Sequence, residues 1–251
     1  MLTIADIRVS FGGFRALAGV SMTAAPGSIV GIVGPNGSGK STLINVVSGI
    51  QLPDSGMVRL DDRVIPLGRP DRIAAHGIGR SFQVSRLARR LTVLQNMMVS
   101  ARDNAGERLF DLFLRPGAVA AGEQRIQARA MEILRRLDLA HKANDYAGGL
   151  SGGQQKLLSL GMVLMSDPRV LLLDEPAAGV NPVLIAREVD FLKSLRAEGR
   201  IILLIEHNME MIADLCDRVY VLDAGEVIAE GTPEAIRRDE QVMRSYLGQP
   251  A

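Results

Sequence analysis

The sequence predicts an α/β fold in which a parallel sheet is interrupted by a helical insertion. Three observations carry that prediction. Short apolar runs alternate with helical patterns after Leu150, a glycine-rich segment joins an apolar run to a helical pattern early in the chain, and residues from about Thr92 to Leu139 turn amphipathic. Strands alternating with helices imply parallel pairing, and the helical middle reads as a subdomain set into the sheet.

The elements follow in order. At the N-terminus, Leu2, Ile4, Ile7 and Val9 alternate with polar residues, as a half-buried strand does. A second strand spans 28–33 and leads through the glycine-rich segment into a helix over 43–50, with further strands at 57–60 and 78–82. Residues 103–122 are less regular and hold either a short helix or an excursion loop. Over 123–139, Ile126, Ala130, Ile133, Leu134 and Leu137 share one helical face. After Leu150 come a helix over 152–165, a strand at 170–173 and a helix from 182 to about 197. A strand at Ile201–Ile205, a helix at Met209–Leu215 and a strand at 219–222 complete the pattern. There is no internal repeat.

Composition narrows the class. The 251 residues are 47% hydrophobic and 23% charged, typical of a globular protein. One cysteine, Cys216, excludes an internal disulfide framework and suits a reducing compartment. Lys and Arg number 29 against 28 acidic residues, for a net charge of +1, and there is no Trp, so no nucleic-acid partner is expected. No apolar run approaches the roughly 18–20 residues a spanning helix needs, and the N-terminus lacks a secretory leader pattern. Any action at a membrane is therefore expected to go through another chain.

Gly34-Pro35-Asn36-Gly37-Ser38-Gly39-Lys40-Ser41 fits GxxxxGK[ST] between a strand and a helix. Glycines let successive backbone N–H groups surround phosphate oxygens, and the helix adds its positive end. In that arrangement Lys40 reaches the β- and γ-phosphates, the Ser41 hydroxyl ligates Mg²⁺, and Thr42 completes the set. The run Val170-Leu171-Leu172-Leu173-Asp174-Glu175 delivers Asp174 as the Mg²⁺ partner to the carboxyl edge of the sheet. Glu175 stands next to the nucleotide as a general base for an attacking water.

Leu150-Ser151-Gly152-Gly153-Gln154 reads LSGGQ. Together with the phosphate loop and Asp174-Glu175, it resembles the nucleotide-binding subunit of ATP-binding-cassette (ABC) transporters, over essentially the whole chain. The resemblance implies a single ABC ATPase domain over 1–251 with ATP and Mg²⁺ as its ligands. Its expected parts are a RecA-like parallel core with an N-terminal antiparallel β subdomain (1–91 and 167–251), a helical subdomain (92–166) and a helical tail (231–251). It also implies a head-to-tail dimer, with self or a paralogue, in which Ser151, Gly152, Gly153 and Gln154 meet the ATP held by the partner. Gln83 matches the Q-loop glutamine that meets Mg²⁺ and the attacking water, and His207 matches the histidine that holds the γ-phosphate and orients Glu175. Phe11 falls where an aromatic, usually tyrosine, stacks on adenine; a plain packing role is the other reading. Asn181 occupies the D-loop where many members carry aspartate. His76 and His141 have no such setting and are expected at the surface.

The runs EPAAGVNP (175–182) and IEHNM (205–209), the Tyr-Leu-Gly tail and the long insert look like the ATPases of branched-chain amino-acid importers. Such a resemblance implies two membrane permease subunits and, indirectly, a periplasmic solute-binding protein, with this chain at the cytoplasmic face of the inner membrane. Two nearby readings are a urea or short-amide importer and lipopolysaccharide export. A soluble ABC ATPase of DNA repair or translation is a different class, opposed by a single cassette and near-neutral charge. Residues 84–96 carry Leu87, Leu91 and Val93 among Arg86, Arg89 and Arg90. They form either a groove edge for a membrane-subunit helix or a solvated basic helix over a core stripe.

Overall fold

The computed structural model describes residues 1–81, 87–102, 116–178, 181–240 and 242. These divide into two compact units. The first comprises Met1–Gln83, Pro168–Ala178 and Leu192–Ala251; the second comprises Val84–Asp167 and Gly179–Phe191.

The first unit holds two sheets. In the antiparallel one, β1 (Leu2–Phe11) lies between β2 (Phe14–Ala24) and β4 (Ser55–Leu60), with the two-residue β5 (Arg63–Val64) at the edge. The apolar alternation of β1 slips by one residue between Ile4 and Ile7, a slip that would turn one half of the strand outward. A register shift at that point, with Asp6 at φ 48°, absorbs the extra residue. Leu2, Ile4, Ile7 and Val9 consequently all face the core.

The second sheet runs β10-β9-β3-β8-β7-β6, where β3 is Ile29–Val33, β6 Ile78–Arg80, β7 Val170–Asp174, β8 Ile201–Ile205, β9 Arg218–Asp223 and β10 Glu226–Gly231. All neighbours are parallel except the β9–β10 hairpin. Every residue of β3, β7 and β8 is buried, as expected of parallel strands covered on both faces. Helix α1 (Lys40–Val47) buries Leu43, Ile44, Val46 and Val47 completely, and one continuous apolar cluster joins it to both sheets. Helix α2 (Pro70–Ala75) precedes β6. The parallel core, antiparallel N-terminal sheet and helical insert are the expected architecture.

The second unit is helical. Helix α3 (Val93–Val99) opens with a capping box: Thr92 Oγ1 accepts from Gln95 N–H at 3.1 Å, and Gln95 Oε1 accepts from Thr92 N–H at 2.9 Å. Helix α4 (Pro116–Arg136) starts earlier than the apolar pattern suggested, so the end of the irregular stretch is helical; residues 103–115 lie outside the described residues. Val119, Ala130, Ile133 and Leu134 are buried along it, and Leu137, just past its end, is buried too. Asp138 at φ 56° ends the run. Helix α5 (Gly152–Leu164) follows the LSGGQ segment, and α6 (Pro182–Ala197) belongs to this unit up to Phe191. Residues 84–86, with Arg86, lie outside the described residues; 87–92 are not helical, and Val93 is fully buried, so it belongs to the core and not to a groove edge.

Helix α7 (Met209–Leu215) and helix α8 (Pro233–Arg238) finish the first unit. No helix among the described residues is long and apolar enough to cross a membrane. Cys216, just after α7, is buried, which pushes its thiol up to about 12. Alkylation at pH 8 requires thiolate and access. Mass spectrometry after iodoacetamide treatment should therefore find the native chain unmodified and the urea-unfolded chain fully labelled.

Candidate functional site

Strand β8 lies between β3 and β7, so the carboxyl ends of three parallel strands bring residues 34–41, 174–175 and 206–208 to one edge. That edge is where open α/β sheets bind ligands.

The loop after β3 is tightly built. Gly34 adopts φ +148°, and a Cβ there would lie 2.0 Å from the Leu222 carbonyl oxygen. Gly39, at φ +105°, caps α1, and a Cβ on it would meet the Ala16 carbonyl oxygen at 2.7 Å. Only glycine satisfies both demands. Gly225 N–H donates to the Ser38 carbonyl at 3.1 Å, tying the loop to the β9–β10 turn.

Lys40 is buried at 6% exposure. Its Nζ donates to the carbonyl oxygens of Gly34 and Pro35, each at 2.8 Å, and lies 3.4 Å from Ser38 Oγ. Burial lowers the pKa of the ammonium, against the opposing pull of Glu175 and Asp174. These carbonyl bonds hold the cation at the centre of the loop.

A cavity of about 280 Å³ opens beside the loop. It is lined by loop and helix residues Asn36, Gly37, Gly39, Lys40, Ser41 and Thr42, by Glu175 and His207, and by the aromatic pair Phe11 and Phe14. Phe11 is half-exposed and Phe14 more so, so neither is a core residue. The Phe14 partner across the hairpin was not singled out from sequence, although its spacing from Phe11 was readable.

Glu175 has φ 49°, an unfavourable region for a non-glycine residue. Its N–H donates to the Ile205 carbonyl at 2.9 Å, and its Oε1 lies 3.1 Å from His207 Nε2. The acid and imidazole thus meet at the mouth of the cavity. His76 is half-buried against the Arg72 carbonyl and His141 is exposed; neither lines it.

Asp174, one residue earlier, is buried behind this pair. Arg80 of β6 donates from Nη2 to Asp174 Oδ2 at 3.2 Å, and from Nη1 to Asn45 Oδ1 at 2.6 Å and Ser48 Oγ at 3.1 Å. One guanidinium therefore links the acidic strand end to α1. Arg80 was not recognised from sequence, where a lone cation in a short apolar strand was the available signal.

The LSGGQ segment lies in the second unit. Ser151 Oγ accepts from Gln154 N–H at 3.3 Å and Gln154 Oε1 accepts from Ser151 N–H at 3.0 Å, a second capping box. Asn181 is exposed immediately before α6. Gln83 and the D-loop residues 179–180 lie outside the described residues.

A family model described as ABC transporter matches residues 17–178, and one described as branched-chain amino acid ATP-binding cassette transporter matches residues 226–251. The high-affinity branched-chain amino acid transport ATP-binding protein LivG of Escherichia coli K12 is 36% identical over 99% of this chain and 98% of its own. The chain belongs to the ABC transporter ATP-binding proteins, in the branched-chain amino-acid class. It binds ATP and couples its hydrolysis to transport. A solved ABC transporter ATP-binding cassette in its ADP conformation superposes with TM-score 0.84 at 34% identity, covering 99% of each chain. A dimeric cassette in a post-hydrolysis state with ADP and Pi superposes at 0.76 with 26% identity, over 93% of this chain and 99% of that one.

In this ABC ATPase, removing Arg80 would leave the buried Asp174 carboxylate without its guanidinium. Breaking one side of a buried ion pair costs about 3–5 kcal/mol. Arg80→Met is expected to lower unfolding stability by roughly that amount in urea titrations. A change under about 1 kcal/mol would show that the link carries little of the fold.

Proposed function

We propose that the cavity holds ATP with its adenine against Phe11 and Phe14 and its phosphates in the loop 34–41, and that Glu175 and His207 hydrolyse it to power import of branched-chain amino acids. The observation that carries this reading is the 3.1 Å pairing of Glu175 with His207 in the same cavity as Lys40.

Lys40 exchanges its bonds to the Gly34 and Pro35 carbonyls for phosphate oxygens, so an ammonium already held in place gains a stronger charged partner. Glu175 takes the proton of the attacking water as its oxygen bonds to the γ-phosphorus and the bond to ADP breaks. His207 steadies the Glu175 carboxylate through Nε2 and faces the γ-phosphate. The buried Asp174 and the Ser41 hydroxyl at the start of α1 are an oxygen set suited to Mg²⁺, with Gln83 as third member. When bound there, Mg²⁺ would neutralise phosphate charge.

The signature segment serves a partner's nucleotide. By position, Gly152 and Gly153 N–H have no acceptor inside their own helix. Gly152 lies outside the left-handed region, and a Cβ on it would meet nothing within 4 Å. Among the described residues nothing demands glycine there; close approach of a phosphate from another copy does. The head-to-tail dimer, with self or a paralogue, then encloses ATP between the loop of one subunit and Ser151 and Gly153 of the other. Two permease subunits would bind the dimer at the cytoplasmic face of the membrane, and a periplasmic binding protein would act through them.

Glu175→Gln is expected to bind ATP normally but to release phosphate at least about 100-fold more slowly, with an ATP-dependent dimer that persists on gel filtration. Turnover within a few-fold of the parent would reject the general-base assignment. Gly152→Ala should keep or slightly raise the melting temperature, since alanine suits a helix better than glycine. The same variant should weaken ATP-dependent dimer formation by at least about 10-fold; an unaltered dimer would remove the second-copy contact.

A further inference from the structure

Glu206 is a buried acid that the hydrolysis scheme does not use. It is 4% exposed and does not line the nucleotide cavity. Its two oxygens face three backbone donors. Oε1 accepts from Ala177 N–H at 2.8 Å; Oε2 accepts from His207 N–H at 3.1 Å and Asn208 N–H at 3.3 Å. Ala177 lies two residues after Glu175, and His207 is its imidazole partner, so this one carboxylate spans the loops that carry the two reacting groups.

We infer that Glu206 is a positioning residue for hydrolysis, setting the separation of Glu175 and His207 through the backbones on which they stand. The inference rests on the roles given to those two residues above. The Glu175 turn is one that needs holding, because a non-glycine residue at φ 49° is strained and persists only where its surroundings over-determine it. The end of β8 and the residue after it brace the turn, through Glu175 N–H to the Ile205 carbonyl and Ala177 N–H to Glu206. On the other side, Asn208 is itself fixed, because its Oδ1 accepts from Glu210 N–H at 2.9 Å and Met211 N–H at 3.1 Å as the cap of α7. Glu206 therefore ties a strained turn to a capped helix.

The residue type is demanding. An ionised carboxylate only accepts, and every neighbour described is a donor. Glutamine has the same shape but turns one of the two oxygens into an NH₂ group, which then points at a backbone N–H. The pair loses its bond and gains a donor–donor clash. Aspartate keeps the charge but draws both oxygens back by one methylene, so it reaches one loop and not both.

The test uses the full-length chain with Glu206→Gln and Glu206→Asp beside the parent, and Glu175→Gln in parallel. Steady-state phosphate release gives kcat and KM for ATP, and hydrogen–deuterium exchange by mass spectrometry gives local order. Glu206→Gln is expected to lower kcat at least about 10-fold with KM within about 2-fold, and to speed exchange in 175–178 and 206–209 alone. Glu206→Asp should fall between it and the parent. A kcat within about 2-fold of the parent overturns the inference, as does a loss accompanied by a matching rise in KM or by faster exchange throughout. If Glu206→Gln does not fold, Glu206→Asp is read by the same criteria. Normal hydrolysis by Glu175→Gln would overturn both this inference and the roles it rests on; a dead Glu175→Gln beside a normal Glu206→Gln removes this inference alone.

Discussion

Burying charge at the carboxyl edge of a parallel sheet is the constraint around which this ATPase is built. Strands covered on both faces must be apolar, yet phosphate chemistry needs ions at their ends. Lys40, Asp174 and Glu206 are all buried there, and Arg80 stands mostly covered beside them. A desolvated ion without a partner costs several kcal/mol. The fold meets this by giving each a fixed set of partners within the chain: loop carbonyls for Lys40, Asp174 with Asn45 and Ser48 for Arg80, backbone amides for Glu206. The charged groups are thus held by the chain's own polar atoms, and preorganisation of that kind is what electrostatic catalysis requires.

The partners differ in how easily they are exchanged. Carbonyl oxygens are neutral acceptors, so a phosphate competes well for Lys40. The amides around Glu206 are held by a buried carboxylate that is not among the residues lining the cavity. Lys40 is therefore an ion held in readiness, whereas Glu206 is a permanent brace. Arg80 stands between the two, since one partner is the Asp174 carboxylate at the strand end and the others tie it to α1.

How much of this was legible in the chain depends on whether the signal was local. The apolar runs of β7 and β8, the glycine loop and LSGGQ are contiguous, and each specifies its own backbone. Helix α6 and helix α7 were read to within a residue, because Asn181-Pro182 and Asn208 mark their starts. By contrast, β5 is two exposed residues and β10 is largely half-buried, so neither shows an apolar period. Helix α4 was read too short because its first turns bury little. The pairs Arg80–Asp174 and Glu206–Ala177 join residues far apart in sequence, and only the sheet order makes them neighbours. In the IEHNM run, Glu206 read as a subfamily mark; its burial against two loops is a tertiary fact.

Glycines separate what the chain needs for itself from what it offers to others. Gly34 and Gly39 are dictated internally, since a Cβ at either would strike a carbonyl oxygen of a neighbouring strand or loop. Gly152 has ordinary backbone geometry and open space, so folding would favour alanine there. A residue type that folding disfavours and packing does not require points to a surface where something comes close from outside. The two glycine-rich segments of this ATPase thus rest on different logic: the first is closed by its own protomer, and the second is left open at the start of a helix.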